Sequence, residues 1–254
     1  MQGQPLLAAI DLGSNSFRLQ VARVENDQLY MLDGLRETVR LAAGLTEDKL
    51  LDAAAQQRGL ACLKKFGERL RDLPREAIRA VATNTLRVAK NAPHFLQQAE
   101  TALGVPIEVI AGREEARLIY LGVAQGLPHS DERRLVVDIG GGSTEFIIGR
   151  GLQPTHLESL YMGCVSYAAR HFPDGKITKT NLKQAELAAR NELQGIMTEF
   201  ARGQWDVALG SSGTARVLND VLEQNGYSAD GITREGLEIL REQLLKAGNA
   251  NRLE

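Results

Sequence analysis

Residues 135–148 of the chain read LVVDIGGGSTEFII. The branched apolar run at 135–137 predicts a buried strand. Asp138 follows that run, then three glycines and a serine, and a second apolar run starts at Phe146. Glycines let the backbone approach a ligand closely, and consecutive N–H groups in such a turn can form a concave anion site. A carboxylate beside the turn can hold a divalent cation against a phosphate. The stretch predicts a phosphate-binding hairpin or, more simply, an ordinary tight hairpin.

A second copy of this pattern lies near the N-terminus, where residues 9–21 read AIDLGSNSFRLQV. The positions of Asp138, Gly140 and Ser143 are taken there by Asp11, Gly13 and Ser16. The two aspartates stand half a chain length apart, so the spacing predicts two similar domains that face a shared cleft. We expect each domain to offer a phosphate loop and an aspartate to the same ligand. The repeat favours the phosphate-loop interpretation over the simple hairpin.

Several longer strings resemble one known family. They are DLGSNSFRL at 11–19, GREEARLIYLGV at 112–123, VVDIGGGSTEF at 136–146, MGCVSY at 162–167 and GSSGT at 210–214. These strings are similar to motifs of the exopolyphosphatase / guanosine pentaphosphate phosphohydrolase (Ppx/GppA) family. The duplicated loops resemble the two phosphate motifs of the wider acetate kinase, sugar kinase, Hsp70 and actin superfamily.

The resemblance implies an α/β fold of two similar ribonuclease H-like (actin-like ATPase) domains that flank a cleft. We place the first domain at residues 1–127 and the second at 128–254, with a polar linker and hinge near residues 126–133. Family members continue with a further strand and helix, so the resemblance also implies that the second domain is incomplete. The family is commonly dimeric, which makes a homodimer possible for a full-length form.

Asp11, Asp138 and Glu145 are the expected metal ligands. The two aspartates stand at predicted strand ends, and Mg²⁺ binds proteins through few carboxylates while keeping several waters. Glu145 alternates with Phe146, so it faces the cleft if Phe146 packs into the core. Its position alone also fits a surface glutamate. The resemblance implies a metal- or water-binding glutamate here, and we predict catalytic roles for Asp138 and Glu145.

Glu115 is the predicted catalytic base. Acidic residues in a first helical turn, such as Glu114 and Glu115, are most simply favourable partners of the helix dipole. The resemblance favours the other interpretation, because Glu115 matches the family's catalytic base. Its task would be to take a proton from a water that attacks a terminal phosphorus. Phosphoryl transfer asks mainly for positioning and charge neutralisation, so one base with a metal and hydrogen-bond donors suffices.

The remaining candidates are phosphate ligands. They are Ser14, Asn15, Ser16, Arg87, Gly140, Gly141, Gly142, Ser143, Thr144, Ser212 and Gly213. A guanidinium such as that of Arg87 can bind phosphate oxygens in a bidentate manner, although this arginine also fits a solvated helix. Residues 210–213 predict a tight loop that binds phosphate or only lines the cleft. Basic residues outnumber acidic ones between Arg58 and Lys90, which indicates a solvated helix face or a track for a polyanion.

Composition excludes several classes of protein. The chain has 254 residues, 43% of them hydrophobic, and a net charge of −2. Its two cysteines show no paired spacing, and no apolar run reaches the roughly 18–20 residues of a membrane span. We therefore expect a cytoplasmic protein with no membrane span and no nucleic-acid partner. The Walker loop, the G-x-S-x-G elbow and the dinucleotide fingerprint are all absent from the sequence.

The expected function is hydrolysis with Mg²⁺, which releases terminal orthophosphate from inorganic polyphosphate. Guanosine pentaphosphate is the alternative substrate, because it shares a terminal phosphoanhydride. A non-catalytic fragment that binds a polyanion or a nucleotide is a further alternative. A small-molecule kinase is a weaker one, since the resemblance places a water-activating glutamate at position 115.

Overall fold

The computed structural model describes residues 5–26 and 28–252. Its strands are β1 (Leu6–Leu12), β2 (Ser16–Glu25), β3 (Gln28–Thr38), β4 (Ile78–Ala82), β5 (Glu108–Val109), β6 (Arg133–Ile139), β7 (Thr144–Arg150), β8 (Gln153–Leu160) and β9 (Val207–Ser211). Its α-helices are α1 (Ala53–Arg69), α2 (Asn84–Val88), α3 (Ala92–Leu103), α4 (Gly112–Gln125), α5 (Cys164–His171), α6 (Lys179–Leu193), α7 (Ser212–Gln224) and α8 (Arg234–Ala247). Short 3₁₀ turns cover Ala42–Gly44, Arg75–Ala77 and Ala250–Arg252. Within the described residues, no helix is both long enough and apolar enough to cross a membrane.

The first sheet has the order β3-β2-β1-β4-β5. Strands β1, β2 and β3 form an antiparallel meander, and β4 joins the free side of β1 in parallel. Alternate residues of β1 and β2 are buried, as the apolar alternation predicts. They pack with α1 and α3 in a single core, in which Phe17, Phe66 and Phe95 are fully buried. This core holds the end of β1, and therefore Asp11, in place.

The second sheet repeats this plan with the order β8-β7-β6-β9. β6, β7 and β8 form an antiparallel meander, and β9 joins β6 in parallel. Asp11 and Asp138 are each the second-last residue of the first strand in their sheet. The duplication predicted from the two loops is therefore confirmed as two separate sheets whose topology matches over four strands, while β5 extends the first sheet by one more.

Helix α4 packs across β7 and β8 of the second sheet. Its buried face, Ala116, Tyr120 and Ala124, meets Val136 and Ile147. The contacts divide the chain into two compact units, one that ends at Ala111 and one that begins at Gly112. α4 thus belongs with the second unit, whereas the boundary predicted from the sequence, at 127/128, would assign it to the first. The hinge near residues 126–133 stays a prediction.

One local prediction is wrong. The loop expected at 210–213 is absent, because β9 runs to Ser211 and α7 starts at once with Ser212. Ser212 makes this abrupt junction with a φ of +77°, in the left-handed region that non-glycine residues rarely adopt.

Gly149 sets how closely α4 approaches the second sheet. A Cβ added there would lie 2.6 Å from the Tyr120 hydroxyl and 2.6 Å from the Gln153 carbonyl oxygen. We expect Gly149→Ala to lower the free energy of unfolding by about 1–3 kcal/mol, because the added methyl overpacks this contact. Urea unfolding followed by circular dichroism measures the change.

The matched control is Gly122→Ala, on α4 itself. Gly122 is exposed, and a Cβ there would meet nothing within 4 Å. Alanine should raise the free energy of unfolding by about 0.5–1 kcal/mol, because it costs less backbone entropy in a helix than glycine. Equal effects of the two substitutions would contradict the close packing of α4 on Gly149.

Candidate active site

A row of polar side chains crosses one end of the second sheet. Asp138 on β6 stands opposite Glu145 on β7 and, on its other side, opposite Ser211 on β9. Glu145 in turn stands opposite Ser159 on β8. Residues opposite one another on neighbouring strands share a face of the sheet. The register therefore brings these four polar residues to one face, at the ends of β6 and β9 and the start of β7.

The neighbouring row on that face is apolar. It consists of Leu157, Ile147, Val136 and Leu209, which are opposite one another in the same way. The buried side chains of α4 cover this row. The N-terminal turn of α4, which carries Glu115, extends past it to the polar row. The helix thus serves two purposes, because its body closes the core while its first turn brings a carboxylate to Glu145.

Glu145 is the most constrained of these residues. It is 1% exposed and receives a hydrogen bond of 2.8 Å from the Ser159 hydroxyl to Oε1. The pKa of its carboxyl is raised from 4.5 to about 7, chiefly by burial and in addition by the charges of Glu115 and Asp138, while hydrogen bonds from Ser143 and Ser159 oppose the shift. A surface position for Glu145 is thereby excluded. Phe146 faces the other side of β7, as alternation requires, but is only half-buried, with its ring against that of Phe200.

Glu114 and Glu115 differ in their surroundings. Glu114 forms a bidentate ion pair with Arg117, at 2.7 and 2.8 Å, and this partner lowers the pKa of its carboxyl. Glu115 is half-buried and near enough to Glu145 for its charge to raise the pKa of Glu145. Only Glu115 of the two acts on the polar row in this way, so Glu115 is the better placed for chemistry there.

The glycine loop at residues 140–143 closes beside the polar row. The Gly140 N–H donates to the Ser143 carbonyl at 2.9 Å, and the N–H groups of Val165 and Ser166 donate to the Gly141 carbonyl at 3.0 Å. A Cβ on Gly163 would collide with the backbone of Gly141 and Gly142. The loop therefore rests directly on the start of α5, and only glycine at position 163 allows this approach.

Ser143 and Thr144 are almost fully buried. The Thr144 hydroxyl donates to the Met162 carbonyl. The Ser143 side chain hydrogen-bonds Glu145. The loop and the buried carboxylate are thus one connected structure, and displacement of either would disturb the other.

The first unit contains the matching loop. A Cβ on Gly13 would lie 2.9 Å from the Ser16 carbonyl oxygen, and one on Gly140 would lie 3.1 Å from that of Ser143. The segment that follows β3 holds this loop, since the Arg40 N–H donates to the Asn15 carbonyl at 2.8 Å. A buried hydrogen bond of 2.8 Å joins the hydroxyls of Ser14 and Thr85. The two loops therefore share one backbone arrangement.

Two buried polar atoms of the first unit suit a polar ligand. Ser16 Oγ and Asn84 Nδ2 make no hydrogen bond with any described residue. Buried polar groups are nearly always paired, so such atoms call for a ligand or a water. Ser16 was predicted as a phosphate ligand, whereas Asn84, which starts α2, was missed. Its only signal in the sequence is its place soon after the apolar stretch that forms β4.

The other predicted phosphate ligands are already engaged in part. Arg87 Nη1 donates to the Ile110 carbonyl at 2.9 Å, so one edge of its guanidinium anchors the chain just before α4. The Ser212 hydroxyl donates to the Ile139 carbonyl at 2.9 Å and ties α7 to the end of β6. Gly213 follows in the first turn of α7. Their roles as phosphate ligands stay predictions.

Part of the basic excess between Arg58 and Lys90 is neutralised. Lys65 pairs with Glu37 at 3.0 Å, and Arg69 pairs with Asp33 at 2.6 Å. Both pairs are exposed, and such pairs contribute little to stability. They nevertheless lower the local positive charge available to a polyanion, which favours the interpretation as a solvated helix face for this part of α1.

The residues present suit a magnesium ion. Among residues 5–26 and 28–252, no group of three or more His, Cys, Asp or Glu side chains is arranged to hold a metal. Mg²⁺ needs only one or two carboxylates, however, when phosphate oxygens and waters complete its shell. Asp138 and Glu145, opposite each other beside a glycine loop, meet that requirement. Asp11 stays a predicted ligand.

The buried carboxyl of Glu145 predicts a stability that depends on pH. Its pKa is above the ordinary value, so ionisation costs the folded state more than the unfolded state. The free energy of unfolding should fall as pH rises from about 4.5 through 7, by on the order of 1–3 kcal/mol. The Glu145→Gln variant lacks this ionisation. In buffer without divalent cations it should match the parent near pH 4 and exceed it at pH 8.

Urea titrations across this pH range measure both chains. Asp206→Asn provides a control in which the shift has the opposite sign, because Arg133 lowers the pKa of the Asp206 carboxyl to about 2. Parallel pH curves for the parent and Glu145→Gln would contradict a raised pKa at Glu145.

Comparison with known proteins agrees with this architecture. The Ppx/GppA phosphatase family model matches residues 20–254. An exopolyphosphatase from Cytophaga hutchinsonii is 25% identical, with a TM-score of 0.84 over 95% of this chain and 80% of that chain. An exopolyphosphatase-like protein is 29% identical, with a TM-score of 0.81 over 86% of this chain and 69% of that chain.

The Ppx/GppA enzyme of Aquifex aeolicus is 28% identical, with a TM-score of 0.74 over 95% of this chain and 82% of that chain. The PilM–PilN type IV pilus biogenesis complex, at 15% identity and a TM-score of 0.51 over 99% of this chain and 96% of that chain, is alike in fold alone. With its duplicated actin-like α/β units and a family match over most of its length, the chain belongs to the Ppx/GppA phosphatase family.

Proposed function

We propose that this protein is an exopolyphosphatase, a hydrolase that releases the terminal orthophosphate of inorganic polyphosphate. The observation that carries the proposal is the buried Glu145, held opposite Asp138 and close to Glu115 beside a glycine loop. A carboxylate cluster of this kind is costly to fold and is typical of catalytic sites. The likeness to a protein described as an exopolyphosphatase supports polyphosphate as the substrate.

The chemistry is a transfer of the terminal phosphoryl group to water. Glu115 accepts a proton from the water, the water oxygen forms a bond to the terminal phosphorus, and the bridging P–O bond breaks. The products are orthophosphate and a polyphosphate shorter by one unit. Backbone N–H groups of residues 141–143 would bind the phosphate oxygens. Mg²⁺ held by Asp138 and Glu145 would supply neutralisation of the phosphate charge.

The test is a phosphate-release assay with Mg²⁺ on two substrates, long-chain polyphosphate and guanosine pentaphosphate. The proposal predicts release from polyphosphate. Release only from guanosine pentaphosphate would make the protein a nucleotide phosphohydrolase instead. Binding of polyphosphate without release from either substrate would favour a non-catalytic binder.

Removal of the carboxylate at 115 should separate catalysis from binding. General-base removal commonly costs 10²–10⁴ in rate, so we expect Glu115→Gln to turn over at least ~100-fold more slowly. Its affinity for polyphosphate should stay near that of the parent, since the amide keeps the size of the side chain. Steady-state phosphate release and calorimetric binding measure the two effects.

Glu114→Gln is the matched control. Glu114 already pairs with Arg117, so its substitution should lose an exposed ion pair and little activity. If Glu114→Gln abolished turnover while Glu115→Gln retained it, the assignment of the base would be wrong by one residue.

Asp138→Asn should weaken Mg²⁺ binding. An amide oxygen carries no net charge and binds Mg²⁺ more weakly than a carboxylate, which this hard cation prefers. We expect a drop of at least about tenfold in Mg²⁺ affinity measured by calorimetry with orthophosphate present. Loss of one like charge beside Glu145 should leave stability unchanged or raise it. Unchanged Mg²⁺ affinity would remove Asp138 from the metal site.

A further inference from the structure

One side chain in direct contact with Glu145 has no role so far. Ser159 lies near the end of β8, directly opposite Glu145, and its hydroxyl donates to Glu145 Oε1 at 2.8 Å. We propose that Ser159 is a positioning residue, which fixes the orientation of the Glu145 carboxylate so that its second oxygen faces the metal and phosphate site. This inference rests on the proposed function, since it assumes that Glu145 binds the metal.

The contact is built into the sheet. The register between β7 and β8 shifts between Ile148 and Gly149, and the pairing that follows places Ser159 opposite Glu145. Without that shift, Glu158 would take the position opposite Glu145, and two carboxylates would meet on one face of the sheet. A one-residue shift exchanges the faces of a strand. The bulge therefore brings a hydroxyl, instead of a third acidic group, to the buried carboxylate.

The same stretch of β8 holds the start of α4. Glu158 pairs with Arg113 at 2.7 Å, two residues before Glu115. Adjacent residues of β8 thus contact the two elements that carry the predicted base and the predicted metal ligand. Movement of this part of β8 would shift both carboxylates, so the stretch is suited to set their relative placement.

The chemistry of the contact requires a donor. A buried carboxylate beside Glu115 and Asp138 is favoured in its charged form only if hydrogen-bond donors reach it. Ser143 supplies one donor from the glycine loop, and Ser159 supplies the other from the sheet. Alanine at 159 would leave Oε1 without the donor from the sheet and would free the carboxylate to rotate. Threonine would keep the donor, and its branched side chain suits a strand.

The test compares Ser159→Ala with a matched control, Ser159→Thr, which keeps the hydroxyl donor at the same position. The readouts are Mg²⁺ affinity by calorimetry with orthophosphate, the kcat and KM for polyphosphate, and urea unfolding.

Loss of a partner that orients a metal ligand typically costs 10- to 100-fold in metal affinity or activity. We expect Ser159→Ala to lose about that much in Mg²⁺ affinity and in kcat, with the KM for polyphosphate unchanged. Ser159→Thr should stay close to the parent.

Two results would overturn the inference while the proposed function stands. One is an active parent whose Ser159→Ala variant binds Mg²⁺ and turns over as the parent does. The other is an equal loss in Ser159→Ala and Ser159→Thr, which would indicate general loosening of β8, because threonine keeps the donor. A parent that binds no Mg²⁺ with phosphate and releases no phosphate would overturn the proposed function as well.

Discussion

Burial of the Glu145 carboxylate is the constraint on which the second unit depends. An acidic group taken out of water beside Glu115 and Asp138 opposes folding. The surrounding structure offsets that cost with hydroxyl donors from Ser143 and Ser159. It also fixes the carboxylate from three sides, through the sheet register, the glycine loop and the first turn of α4. Natural proteins retain such unfavourable groups mainly where function needs them.

The two halves of the chain share a strand topology, but the side chains beside their aspartates differ. The place that Glu145 takes opposite Asp138 is taken in the first unit by Arg18, opposite Asp11. Arg18 is exposed, whereas Glu145 is buried, because α4 covers that face only in the second sheet. Duplication thus preserved the loop and its aspartate while the neighbouring position diverged in charge and in burial.

The sequence predicted those features that depend on residues close together in the chain. The repeated Asp-x-Gly loops and the apolar runs beside them predicted two matched sheets. Contacts between distant parts of the chain could not be predicted from the sequence. Nothing in residues 112–125 says which sheet the helix covers, since its apolar face fits either. The partner of Glu145 was equally hidden, because the register shift near Gly149 exchanges Glu158 for Ser159, and a bulge leaves no sequence signal as plain as a turn does.

Burial explains both why the carboxylates of Glu145 and Asp138 are unfavourable beside each other and why we propose that they bind a cation. Low water access disfavours the ionised carboxylate and strengthens its repulsion by like charges, and both effects raise the pKa of Glu145. The same low water access strengthens attraction to a cation placed between Asp138 and Glu145, because screening is weak there. A carboxylate pair that opposes folding when it binds nothing would therefore be stabilised by a cation bound together with phosphate, as we propose. Burial of the two carboxylates destabilises the second unit. The same burial would give them enough affinity for Mg²⁺, a cation that water hydrates strongly.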